Sequence, residues 1–324
     1  MAATRAVTQK EVAAGAAAIC RAVSDPQPFF IGRNGTIETE VLTYFLRFRD
    51  PATPFFREYP ERYLDQIQRN AGVFPATPES VDAWAAEYLS HLPKLTGLAA
   101  GWYAPMAGFE KYILDTYAPQ AFRTPLRSLE PYYVPPPLQW TRQLSGKKVA
   151  IVSSFAETIQ RQVWGENFSG IWTGENVGLL SPPRPIEWLF VRTGYAPITA
   201  LGHAEWPASV RCWQDAVEMC VREVVATGAH VAIIGCGGLG MVVAGRLRAL
   251  GISAFVLGGA TQILFGVKGG RWQRHEIIST FWNDSWVWPA EDEIPGGAGL
   301  VEGGCYWGLA ATGRQRKADD PTFK

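Results

Sequence analysis

Three glycines, Gly235, Gly237 and Gly240, are spaced as G-x-G-x-x-G between an apolar run and a stretch of helical character. Bare backbone N–H groups at a helix start make a ready anion site, and a phosphate is the natural guest. The same pattern also describes a tight strand-to-helix turn that binds nothing. A dinucleotide site adds an acid about twenty residues beyond the first glycine, to hold the ribose hydroxyls. That stretch here reads Phe255-Val256-Leu257-Gly258-Gly259-Ala260 and holds no carboxylate, so NAD is disfavoured. Further on, Lys268 and Arg271 flank glycines in a loop. They are cations for a diphosphate or an ordinary solvated basic loop. His203 and His275 are candidate bases, although a lone histidine is more often structural.

These groups need a scaffold, and the chain supplies an alternating one. The apolar run at 230–234, bounded by glycine, reads as a strand buried on both faces. A helix over about 239–250 should stop at Gly251, with the next strand at 252–257. This is one βαβ unit of a parallel sheet. Earlier, the pattern predicts a helix at 8–23, a strand at 29–32, a turn at Arg33-Asn34-Gly35 and a helix beginning near Ile37. Helices are expected at 60–70, 78–91 and 106–117, with a strand at 98–103. A strand at 149–153 and a helix at 156–164 follow. Residues 206–227 read as one amphipathic helix, with Trp206, Val210, Trp213, Val217, Cys220, Val221 and Val224 on one face. Pro131, Pro135, Pro136 and Pro137 exclude regular structure over 130–140 and make that run the best linker. The expected fold is α/β, with Rossmann-like parallel sheet flanked by helices. Its N-terminal half is 1–140, carrying the Arg33 turn. A Rossmann-like half at 141–312 carries the glycine-rich loop, and 313–324 is a disordered tail.

Composition narrows the function. The 324 residues are 47% hydrophobic and 19% charged, enough apolar content for a sizeable core and too little bias for disorder. Thirty basic and thirty acidic residues cancel, so nothing draws the chain toward nucleic acid. Five cysteines without C-x-x-C spacing read as buried thiols of a reducing compartment, not as a disulfide or zinc framework. No apolar stretch is long enough to span a membrane. Residues 12–20 imitate a leader core, but the charges around them fit an Ala-rich surface helix better. The cytoplasm is the expected address.

Several segments together resemble GT-D-type glycosyltransferases, the relatives found with polysaccharide-synthesis genes. The most specific is the stretch from Leu257 to Trp272, LGGATQILFGVKGGRW. Lesser echoes are Gly146-Lys147-Lys148-Val149, Ser154-Phe155 with Thr158-Ile159 and Gln162, and the ending Val301-Glu302-Gly303-Gly304-Cys305-Tyr306-Trp307. Near the N-terminus, Ile31-Gly32-Arg33-Asn34-Gly35-Thr36-Ile37-Glu38 lies where the family has an R-x-G-D-x-E type motif. The resemblance implies a nucleotide-diphosphate-sugar donor, a UDP-sugar first among them, with Mn²⁺ or Mg²⁺ as companion, and a glycan acceptor. It implies Glu38 as catalytic and metal-associated residue. It fits donor binding by Arg33, Gly35, Thr36, Gly258, Gly259, Gln262, Lys268, Arg271 and Glu302, to which the glycine turn adds Gly235, Gly237, Gly238 and Gly240 as phosphate contacts. One position departs. Thr36 stands where the family has aspartate, and a hydroxyl is a poor substitute for a carboxylate on a hard cation. Glu40 would point about 200° away from Glu38 on a helix.

Transfer from such a donor needs positive charge on the leaving diphosphate and an acid-base group for the acceptor hydroxyl. Helix starts near Thr36 and Gly237-Gly238, with Lys268 and Arg271, can supply the field. Glu38 serves as metal ligand, ribose contact or base, roles that residue types do not separate. Trp282, Trp286, Trp288, Tyr306 and Trp307 are expected mainly in the core, with one or two in an acceptor groove. A glycosyltransferase heads three readings, with a homo-oligomer among the assemblies open to it. The others are a nucleotide-sugar-binding protein without activity and an enzyme using ATP, NAD or S-adenosylmethionine at the glycine turn.

Overall fold

The computed structural model describes residues 7–101 and 103–308. In chain order the elements are α1 (Gln9–Ser24), β1 (Phe30–Arg33), α2 (Thr36–Phe48), α3 (Glu61–Arg69), α4 (Pro78–His91), β2 (Gly97–Ala99), α5 (Ala107–Tyr117), β3 (Phe122–Thr124) and α6 (Leu126–Leu129). There follow β4 (Lys148–Ser153), α7 (Ala156–Trp164), β5 (Glu187–Arg192), α8 (Pro197–Ala200), α9 (Trp213–Thr227), β6 (Val231–Gly235), α10 (Gly240–Ala249), β7 (Ser253–Val256) and α11 (Ala260–Leu264). The seven strands of the described residues are parallel and form one sheet in the order β3-β2-β1-β7-β6-β4-β5.

The sheet is buried on both faces, which explains its continuous apolar runs. Ala150, Val152, Ala232, Ile234, Ala254 and Val256 pack beneath α2, α4, α9 and α10. Their strand neighbours Val149, Ile151, Val231, Ile233 and Phe255 face the opposite layer, built from α1, α7, α11 and the irregular segment after residue 264. This is the period of two expected of strands. The sheet joins the strands before the proline-rich run to those after it, because β1 pairs with β7 through Phe30↔Ala254 and Ile31↔Phe255.

The α/β parallel fold is the one expected from the sequence, with local differences. Residues 206–227 are not one helix: α9 begins at Trp213, seven residues late. Pro207 interrupts the run, and Asp215 caps the new start by accepting from the N–H groups of Arg211 (2.8 Å) and Cys212 (3.3 Å). Strand β5 was not foreseen because, at the sheet edge, it is only partly buried and lacks alternation. The proline-rich run is broken into 3-10 turns at Pro131–Tyr133, Pro136–Leu138 and Trp140–Leu144. It is no free tether, since Tyr132, Gln139 and Trp140 are buried. The expected tail at 313–324 lies outside the described residues.

Helices α4 and α10 meet closely because Gly245 has no side chain; a Cβ there would lie 2.3 Å from His91 Cγ. The contact carries a charged latch. Arg246 Nε donates to Glu87 Oε1 at 2.7 Å, and His91 Nε2 lies 3.4 Å from the same oxygen. Burial would raise the Glu87 carboxyl, but bonds from His91 and Arg246 outweigh it and hold it at about 2. A depressed carboxyl stabilises the fold fully above its ordinary value of 4.5, and that stabilisation is lost as pH falls toward 2. Acid unfolding of Glu87→Gln should therefore show a shallower loss of stability between those values than the parent chain. Superimposable acid limbs would remove this pair from the linkage.

Candidate functional site

A cleft of about 870 Å³ opens at the carboxyl ends of β1, β7, β6, β4 and β5, lined there by Arg33, Gly258, Gly235, Ser153 and Thr193. Its position follows from topology. The chain leaves β4 toward β5 on one side and β6 toward β7 on the other, so their following loops part. Ligands of open parallel sheets bind where connections diverge in this way.

One wall is the Arg33 turn. Asn34 is buried, and its side-chain amide donates to Glu110 Oε1 (3.2 Å) while its carbonyl accepts from Tyr88 OH (2.7 Å). Gly101 N–H donates to Glu110 Oε2 at 3.0 Å, which ties the turn to α4 and α5 together. Burial raises the Glu110 carboxyl, with Gly101, Asn34 and Arg33 working against the rise. Gly35 caps α2, and the Glu38 carboxylate folds back over it: a Cβ on Gly35 would lie 1.8 Å from Glu38 Oε2. Burial raises the Glu38 carboxyl; its own backbone N–H and Arg33 oppose this, and Glu302 adds to it. Among the described residues Arg33 forms no ion pair, yet its charge acts on Glu38, Glu110, Glu130 and Tyr306. It is an unpaired guanidinium facing a cleft.

The glycine-rich turn forms the floor, and its own chain takes up much of the space its glycines leave. A Cβ on Gly235 would lie 2.8 Å from the Gly258 carbonyl oxygen. Gly237 has φ +59°, and a Cβ on it would lie 2.7 Å from the Ala71 carbonyl oxygen. Gly238 N–H donates to that same oxygen at 2.8 Å. So one N–H expected to be bare for an anion already has a partner. Gly240 does not line the cleft; it lets α10 approach Val256, whose Cγ1 would lie 3.0 Å from an added Cβ.

The last wall comes from the segments at 258–272 and 301–306. Gly258, Gly259, Gln262, Arg271, Glu302 and Tyr306 line it. Gln262 donates its amide to the carbonyls of Lys268 (2.7 Å) and Tyr306 (2.9 Å), binding the two segments together. Arg271 forms an ion pair with Glu302 and lies over the Tyr306 ring at 4.6 Å. Burial works against its charge, but Tyr306, Cys305 and Glu302 hold it above its ordinary value. Glu302 adopts φ +45°, uncommon for a residue with a side chain, and donates its N–H to Asn70 Oδ1 at 3.1 Å. Lys268 stays outside the cleft, its ammonium over Trp282 at 5.7 Å.

Three solved structures resemble the chain. One is a glycosyltransferase (DUF1792) from Streptococcus sanguinis, 10% identical, over 87% of this chain and 94% of that one, with a TM-score of 0.40. Another, described as having a distinct glycosyltransferase fold, is 12% identical over 86% and 96%, at 0.36. The third, a selenomethionine form of domain of unknown function 1792, is 12% identical over 76% and 83%, at 0.34. No protein-family model and no curated protein matches the chain. No residue role passes to this chain from likenesses at that level.

The cleft thus gathers Arg33, Gly35, Thr36, Glu38, Gly235, Gly237, Gly238, Gly258, Gly259, Gln262, Arg271 and Glu302, and leaves out Gly240 and Lys268. His275 lines it, with burial lowering its basicity and Nδ1 occupied by the N–H groups of Ile277 and Ile278; His203 does not. Trp272 and Tyr306 line it as well, whereas Trp286 and Trp307 are core. Sequence reasoning missed Asn70, Glu130, Tyr133 and Tyr195. Nothing local marks them, since each reaches the cleft only through the path of its loop. Among the described residues no three His, Cys, Asp or Glu side chains converge on one point. A divalent ion here would rest on Glu38 and otherwise on donor phosphates and water, the usual arrangement for Mg²⁺ beside a nucleotide.

Proposed function

We propose that the chain is a GT-D-type glycosyltransferase moving a sugar from a nucleotide diphosphate, UDP first among candidates, to a glycan acceptor. The observation that carries this reading is the Arg33 guanidinium, without an ion-pair partner among the described residues, at the carboxyl end of the sheet beside the N-terminus of α2, in a cleft that Arg271 also lines. Two guanidiniums and a helix start suit the diphosphate, whose negative charge grows as the sugar leaves. The cleft volume lies within the range of about 300–1,000 Å³ usual for small-ligand sites. Glycines 258 and 259 let the donor approach the backbone, and Glu38 contacts the ribose or the companion ion. When bound, such an ion neutralises part of the diphosphate charge. Val301, Glu302, Gly303 and Tyr306 add a further wall to the cleft. Action in the cytoplasm, and on glycans rather than nucleic acid, belongs to the same reading. Among the described residues no helix is long and apolar enough to cross a membrane.

Thr36, in place of a family aspartate, favours a second reading in which the donor binds but no sugar is transferred. A thermal-shift panel separates the readings, using UDP- and GDP-sugars, free UDP and GDP, ATP, NAD and S-adenosylmethionine, each with and without Mn²⁺. A ligand at a hundred times its dissociation constant stabilises the fold by about 2.7 kcal/mol. Stabilisation by one nucleotide-sugar class, with turnover that falls in Glu38→Gln, is the expected result. Stabilisation without turnover selects the binding protein. Response only to ATP, NAD or S-adenosylmethionine refutes both.

A further inference from the structure

Among the described residues three carboxylates line the cleft: Glu38, Glu130 and Glu302. Glu302 is engaged by Arg271 and accepts a hydrogen bond from Tyr306 OH at 3.4 Å. Glu38 is folded over the start of α2, against its own backbone N–H. Glu130 differs, for among the described residues its carboxylate makes neither hydrogen bond nor ion pair. Its backbone, by contrast, is firmly mounted. Leu129 carbonyl accepts from Trp140 Nε1 at 2.8 Å, Glu130 carbonyl from Tyr133 N–H at 3.0 Å, and Ser128 Oγ donates to the Val12 carbonyl at 2.8 Å. A carboxylate with open lone pairs, carried on a firmly held backbone and lining a cleft with cationic groups, meets the demands on a general base.

We propose that Glu130 is the catalytic base that takes the proton from the acceptor hydroxyl, an assignment that rests on the glycosyltransferase reading. The acceptor oxygen forms its bond to the anomeric carbon as the bond from that carbon to the diphosphate oxygen breaks. The electron pair leaves with the nucleoside diphosphate, facing Arg33 and Arg271, and the acceptor proton passes to the Glu130 carboxylate. The other two carboxylates are placed for other work: Glu302 is paired with Arg271, and Glu38, folded over the start of α2, is the group offered to the ribose or the companion ion. Burial raises the Glu130 carboxyl to about 7, with Arg33 of β1 and Arg127 of α6 limiting the rise. Tyr132 and Tyr133 of its own segment are titratable groups coupled to it, and His275, Tyr306, Glu38, Arg271 and Glu302 line the same cleft. A base near neutrality balances readiness with driving force.

The test compares Glu130→Gln with the parent chain, using UDP-glucose, UDP-N-acetylglucosamine and GDP-mannose as donors and calorimetric binding of UDP and GDP as the second readout. The expected result is a kcat lower by about 10²–10⁴-fold, with nucleotide affinity nearly unchanged. The parent's kcat/KM should climb with pH to a plateau above about 7, and that limb should vanish in the variant. Glu130→Asp, which keeps a carboxylate, should recover part of the rate and the limb. Undiminished turnover in Glu130→Gln, or an unchanged limb, overturns the assignment and leaves the transferase reading standing. A parent chain that binds none of these nucleotides or donors sinks the transferase reading, and the role of Glu130 with it.

Discussion

Arg33→Met is expected to lower donor kcat/KM by about 10²–10³-fold, the cost of removing one preorganised group that stabilises a leaving anion. The expectation follows from where the charge sits. Arg33 ends β1 and is held by a turn whose next residue, Asn34, is fixed by Tyr88 and Glu110. The guanidinium itself has no ion-pair partner among the described residues, so its charge is available to a ligand. Arg33→Lys keeps a charge but loses the planar fork that meets two phosphate oxygens at once, so it should recover only part of the loss. The pH profile should move as well. Arg33 lowers the carboxyls of Glu38, Glu110 and Glu130, so its removal raises them, and activity that depends on a deprotonated carboxylate should begin at higher pH. Steady-state kinetics over pH, with calorimetric binding of UDP, measures both effects. Wild-type UDP affinity in Arg33→Met would show that the diphosphate is bound elsewhere.

Trp140→Ala is expected to cost about 3–5 kcal/mol of stability, the range for removing a large buried aromatic side chain. The indole is fully buried, stacks on Phe255 with ring centroids 3.8 Å apart, and donates to the Leu129 carbonyl at 2.8 Å. Phe255 belongs to β7, at the middle of the sheet, so the loss falls on the core and also frees the backbone that carries Glu130. Truncation leaves a cavity and an unpaired carbonyl together. Urea unfolding with a two-state fit measures the change. A change below about 1 kcal/mol, as expected for a surface position, would return residues 130–140 to the status of a linker.

That contrast shows where sequence reading reaches its limit. Prolines at 131 and 135–137 exclude α-helix and strand, because each fixes φ and removes a donor, but they leave room for the short 3-10 helices that form there. They do not say whether the irregular backbone lies free or packed. Tyr132 and Trp140 decide that through contacts with Trp172 and Phe255, residues remote in sequence. Helix α9 is a similar case, since the apolar stripe over 206–227 is real but Pro207 and the Asp215 cap place its start at Trp213. The glycine turn shows the opposite lesson. Its spacing is legible, yet Gly237 and Gly238 make room chiefly for Ala71, and Gly240 for Val256.

The sequence by itself determined the parallel α/β class, the βαβ unit at 230–257 and most helix limits, including α4 and α7. Apolar period, glycine stops and proline breaks act within a few residues, so they can be read locally. A site shared by the loops after β1, β6 and β7 is an expectation of the sequence, whereas only packing brings the loops after β4 and β5 into the same cleft. Tertiary structure alone decided that Glu302 meets Asn70, 232 residues away, and that Lys268 turns from the cleft while Glu130 faces it. Parallel strands pair across long crossovers, so sheet order, and with it the meeting of these loops, is set by packing of both faces rather than by any local pattern.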